Sequence, residues 1–136
     1  DTMKIALINE NSQAAKNSMI EAALKEVVEP MGHEVVNYGM YSAEDEAQLT
    51  YVQCGLLAAI LLNSGAVDFV VTGCGTGEGA TLALNAFPGV LCGHVVDPSD
   101  GYMFASRETA IRRKEWYRSS AIKRFWTVSR RSHIPI

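Results

Sequence analysis

The chain has 136 residues, enough for one domain with a single sizeable core. Hydrophobic residues at 48% and charged residues at 20% exclude a disordered chain. The longest strongly apolar stretch, Cys54 to Leu62, is too short for the roughly 20 residues that cross a bilayer. The net charge of −3 conceals a split: residues 1–100 hold 3 Lys/Arg and 13 Asp/Glu, and residues 101–136 hold 9 Lys/Arg and 2 Asp/Glu.

In chain order, Lys4-Ile5-Ala6-Leu7-Ile8 reads as a buried strand running into polar Asn9-Glu10-Asn11-Ser12, which suits a helix cap. Ala15, Met19, Ala22, Ala23 and Val27 recur at helical spacing, so a helix is expected from Ala14 to Val28, stopped by Pro30 and Gly32. His33 to Asn37 is a second strand. Acidic Glu44-Asp45-Glu46 suits the positive end of a helix running to about Asn63. Val67 to Val71 is a third strand, Ala80 to Ala86 a helix, and Val90 to Val96 a fourth strand. Asp97-Pro98-Ser99-Asp100 then caps another turn or helix.

This alternation predicts an α/β fold: a three-layer Rossmann-like sandwich with a parallel sheet of four to five strands and right-handed crossovers. Ligands of such sheets sit at the carboxyl ends of the strands. Asn9, Glu10, residues 74–79 and residues 97–100 should therefore converge.

Gly73-Cys74-Gly75-Thr76-Gly77-Glu78-Gly79 joins a strand to a helix. Its glycines permit close backbone approach, and its amides at a helix start suit an anion such as a phosphate or an enediolate. It lacks the Gly-Lys-Ser/Thr ending of a nucleotide-binding loop and does not follow the first strand, as a dinucleotide fingerprint would. Cys74 at the mouth of this nest is a candidate proton-transfer group or a small residue packed under the turn. Thr76 could bond a sugar hydroxyl or cap the helix. Glu78 could act as an acid or base, or simply favour a helix start. Cys54 and Cys92 fall inside elements and read as core. Three cysteines and three distant histidines, His33, His94 and His133, give no metal-ligand spacing, so no metal or other cofactor is expected. Reduced thiols and the lack of a basic-then-apolar leader suit a cytoplasmic protein; Asp1-Thr2 before Met3 reads as a cloning remnant.

Met3-Lys4-Ile5-Ala6, Tyr38-Gly39-Met40-Tyr41-Ser42, Gly65-Ala66-Val67-Asp68-Phe69, Cys74-Gly75-Thr76-Gly77-x-Gly79 and Asn85 to Val90 carry a resemblance in order and spacing. Over about residues 3–105 the chain resembles the type B ribose-5-phosphate isomerase and galactose-6-phosphate isomerase family, in a branch of longer members. The resemblance implies metal-free aldose–ketose isomerisation of a sugar phosphate through a cis-enediolate. Cys74 would be the base and Thr76 an aid to ring opening. The amides of Gly75, Gly77 and Gly79 would hold the anionic intermediate, with Asn9, Glu10 and Glu78 also at the substrate. It also implies a homodimer or homotetramer. The family's Asp-His after the first strand is read here as Asn9-Glu10, and an acidic Glu10 would repel a phosphate. A substrate other than ribose 5-phosphate fits better.

After Ala105 the resemblance stops. Residues 106–136 form an atypical basic tail, rich in Arg, Trp and Ser. The codons of Lys123 to Arg131, read one base later, can spell the family's Lys-Gly-Phe-Gly-x-x-Ala-Glu segment, so the tail reads as a candidate frameshift product. The competing reading is a basic helix with Ala110, Tyr117, Ala121, Phe125 and Val128 on one face. Two further functions are weighed: an inactive or truncated homologue that binds a small sugar or anion, and a nucleic-acid binder stacking bases on Trp116, Tyr117, Phe125 and Trp126. Residues 1–100 offer nothing for the latter, and nucleic acid is not expected as a partner.

Overall fold

The structure, a computed structural model, describes residues 2–100 and 103, and the backbone of residues 126–131. Five strands form one sheet: β1 (Lys4–Asn9), β2 (Glu34–Asn37), β3 (Phe69–Gly73), β4 (Val90–Val95) and β5 (Trp126–Arg131), in the order β2-β1-β3-β5-β4. Among the described residues the strands are linked by helices α1 (Asn17–Val28), α2 (Tyr51–Asn63) and α3 (Glu78–Asn85), and residues 98–100 after β4 are also helical. The α/β architecture expected from the sequence is present.

β1 is buried from its second residue to its last, as a central strand covered on both faces must be. It pairs in parallel with β2 and with β3. Ile5 and Leu7 face the α1 side, where they meet Leu24, Val28, Phe69 and Val71. Ala6 and Ile8 face the α2 and α3 side, with Ala58, Leu62, Val70 and Leu84. Each fully buried Leu or Phe here contributes on the order of 1.5–3 kcal/mol.

Two expectations are corrected. The sheet is not wholly parallel, because β5 runs antiparallel between β3 and β4. Residues 126–131 of the basic tail therefore supply a strand, so Val128 does not lie on a helix; Ala110, Tyr117, Ala121 and Phe125 lie outside the described residues. The second correction moves the start of α2 from the acidic run to Tyr51. Thr50 and Gln53 form a reciprocal capping box there. Asp45 instead closes a turn, accepting from the Tyr41 amide and the Ser42 hydroxyl.

The turn after β2 locks the end of β1. Tyr38 N donates to Leu7 O and Met40 N to Asn9 O, extending the ladder past the strand. A Cβ on Gly39 would lie 2.5 Å from Asn9 N and 2.8 Å from Asn9 O, backbone atoms that cannot step aside. Gly39→Ala should therefore destabilise the fold by about 1–3 kcal/mol, read as a lower denaturant midpoint. A midpoint equal to the parent's would show that this contact is loose.

Candidate active site

β3 is a run of five buried residues that ends at Gly73, and the chain then turns at once into α3. Asn9 of β1 is in register with Gly73. The next positions along, Glu10 and Cys74, continue the face already shared by Ala6 with Val70 and Ile8 with Thr72, on neighbouring strands about 4.8 Å apart. Glu10 is 3% exposed and Cys74 7%. Both residues thus lie at the carboxyl end of the sheet, where the Glu10 charge also reaches Cys54.

The loop fixes the thiol. Gly77 adopts φ +83°, a left-handed conformation that glycine takes without strain. That turn brings its N–H to the Cys74 Sγ at 3.2 Å. Thr76 is exposed, and its Oγ1 accepts the Glu78 N–H at 3.3 Å. Thr81 Oγ1 donates to Gly77 O at 2.7 Å, holding the first turn of α3 to the loop. Glu78 is exposed at the positive end of α3. The amides of Gly77 and Glu78 are thus engaged inside the loop, which leaves Gly75 and Gly79 as the candidate anion donors of the expected set.

Glu10 is held by its own turn: its carboxylate accepts from the Ser12 amide at 3.0 Å and from the Ser12 hydroxyl. Asn9 departs from expectation. It is fully buried, and its Nδ2 donates to Asn17 Oδ1, while Asn17 Nδ2 donates to Met40 O. Strand alternation puts Asn9 on the α1 face with Leu7, so its side chain is not on the face of Cys74. Asp97, beyond β4, accepts from Ser99 and Asp100 and caps a turn at the same end. These bonds, the Ser99 side chain first, hold its carboxyl below the usual range.

Sequence reasoning missed Tyr51. A Cβ on Gly79 would meet its ring at 3.2 Å, so the ring lies against the loop, and it remains 44% exposed. The Thr50-x-x-Gln53 spacing would have revealed this, by starting α2 at residue 51. Among the described residues no three His, Cys, Asp or Glu side chains gather as a metal site.

A family model described as Ribose/Galactose Isomerase matches residues 5–110. The chain belongs to this family. A solved ribose-5-phosphate isomerase from Vibrio parahaemolyticus is 55% identical with a TM-score of 0.74, over 76% of this chain and 49% of that one. A 4-deoxy-L-threo-5-hexosulose-uronate ketol-isomerase, solved in complex with a tartrate, is 67% identical with a TM-score of 0.74, over 76% and 48%. The ribose-5-phosphate isomerase B of Clostridium thermocellum, at 24% identity, a TM-score of 0.62 and 76% and 65% coverage, shares the fold. The chain spans about half the length of the first two structures. A search of curated proteins returns no match. No described helix is long and apolar enough to cross a membrane.

The three thiols of the chain differ in environment. Burial pushes the Cys54 thiol up to about 12, with the Glu10 charge adding to the effect. Burial also pushes Cys92 up to about 12, against a lowering hydrogen bond with Thr81. Both therefore stay protonated at pH 8, and only a thiolate alkylates readily. Iodoacetamide at pH 8 with mass mapping should label Cys74 first. Because Cys54 and Cys92 ionise at lower pH when unfolded, stability should also fall as pH rises through the range from about 9 to 12. Early labelling of Cys54 or Cys92 would count against Cys74.

Proposed function

We propose that this chain carries the proton-transfer loop of an aldose–ketose isomerase. The observation that supports it is the Cys74 sulfur, fixed by the Gly77 amide where β3 meets α3. In this reading Cys74 takes the proton from the carbon next to the carbonyl, leaving a cis-enediolate, and returns it to the adjacent carbon. No electrons leave the substrate, so the step needs no redox partner. Thr76 assists ring opening through its exposed hydroxyl. The amides of Gly75 and Gly79, with the positive end of α3, hold the enediolate oxygen. Glu78 and Glu10 lie within the same end of the sheet as substrate contacts.

A sugar phosphate is the first substrate class. A second, an open-chain keto-uronate, is favoured by the 67% identity to a hexosulose-uronate ketol-isomerase. It is also favoured by Glu10: that carboxylate is held by Ser12, and the one ion pair among the described residues, Lys25–Glu21, lies elsewhere on α1. A single-charged carboxylate is repelled less by Glu10 than a phosphate is. The reaction suits a cytoplasmic enzyme.

The protein would act as a homo-oligomer. α2 has no charged residue, and Val52, Leu56 and Ile60 form an exposed stripe 56%, 49% and 56% accessible. A helix apolar on all sides needs covering, and a second copy supplies a like surface. Ile60→Glu should convert an oligomer to a monomer by light scattering; an unchanged mass would remove α2 from the interface.

Replacing Cys74 by Ser should lower the rate of proton exchange at C2 by about 10²–10⁴, in kcat more than in KM. Sugar phosphates and keto-uronates form the substrate panel. Loss in Glu78→Gln alone would move the base to Glu78. Turnover restored only by adding a family-like C-terminal half would favour an incomplete homologue.

A further inference from the structure

Two buried side-chain atoms in the described residues have no hydrogen-bond partner: Oδ1 of Asn9 and Nε2 of His94. A buried polar atom left alone costs on the order of 1–3 kcal/mol, so native proteins usually supply a water, a ligand or a neighbour. Both atoms belong to the last two residues of a strand, at the end of the sheet where the Cys74 loop lies. Asn9 is on the α1 face, away from that loop. His94 is not.

Alternation along β4 puts His94 on the face of Val90 and Cys92, which belong to the core under α2 and α3. The register of α3 over this face is fixed. The Asn85 side chain accepts from Cys92 N and donates to Cys92 O, each at 2.9 Å, and the Thr81 hydroxyl bonds the Cys92 thiol. α3 leaves the carboxyl end of β3 and returns toward the start of β4, so it runs against β4. The step from Cys92 to His94 is about 6.6 Å toward the carboxyl end. Along α3 it leads from Thr81 back to the first turn, at Gly77 and Glu78. In the sheet His94 is level with Thr72, each paired with Thr127 of β5 between them, so it stands two strand spacings, about 9.6 Å, from β3 on the face that Cys74 continues, and its unpartnered nitrogen is an atom that the proton transfer by Cys74 leaves unused.

We propose that His94 is a substrate-contact residue whose Nε2 hydrogen-bonds a hydroxyl or carboxylate oxygen of the open-chain sugar seated on the Cys74 loop. The proposal rests on the isomerase reading for the identity of the ligand, and on the register above for its place. An imidazole nitrogen suits such a ligand because it donates or accepts according to tautomer.

L-tartrate, a hydroxy diacid, is the probe. Tartrate added to the native chain labelled with ¹⁵N-histidine should shift the His94 Nε2 resonance. By calorimetry His94→Phe should bind tartrate about tenfold more weakly, the loss of one hydrogen bond to a charged group. His94→Gln should recover part of that loss. An unmoved His94 resonance, equal affinities in native chain and His94→Phe, or no tartrate binding by the native chain would overturn the proposal. If His94→Phe does not fold, the nitrogen shift in the native chain decides. Tartrate binding through His94 without turnover of any sugar in the panel would uphold the contact and sink the isomerase reading.

Discussion

Five consecutive pairs in parallel register, from Ile5 beside Phe69 to Asn9 beside Gly73, tie the first strand to the third. The site depends on that ladder. It carries Glu10 and Cys74 one step past the last pair, on one face, without any direct bond between them. A slip of β1 by one residue against β3 would put Glu10 and Cys74 on opposite faces. Continuous apolar residues on both faces of β1 and β3 hold the register, because each face has its own core to fill.

The elements answer for different parts of the site. β1 and β3 set its floor, α3 supplies a positive end, and the left-handed turn at Gly77 aims an amide at the sulfur. α2 contributes through Tyr51, whose ring rests on Gly79. The two helices come close because Gly55 faces Ala83, where an added Cβ would meet the alanine methyl at 3.2 Å. The small residues of α2 therefore help place the loop as well as the core.

Much of this was legible in the sequence. Apolar runs bounded by Gly, Pro and Asn gave four strands, and the Gly-rich loop after the third stood out because a strand-to-helix turn needs that chemistry. The start of α2 was misplaced, since an acidic run and a capping box both favour a helix start, and reciprocal hydrogen bonds at Thr50 and Gln53 outweigh a diffuse charge effect. Asn9 was assigned to the substrate from its place at a strand end. Its face follows from strand parity, and its bond to Asn17 depends on where α1 begins, which periodicity fixes only to within a turn. β5 could not be read, because its pairing is set by partners some 55 residues distant in the chain, such as Val71 beside Val128.

That strand also bears on how the chain reaches its fold. β4 pairs with the sheet only through β5, so its ladder waits on residues 126–131. On the ribosome the first three strands and their helices can assemble while β4, held to α3 through Asn85, still lacks a strand partner. Sheet completion is then a late, non-local event, slow by the entropy of the loop it closes. Until it happens the free edge of β3 is a template for strands of other chains, and a holding chaperone would find its target there.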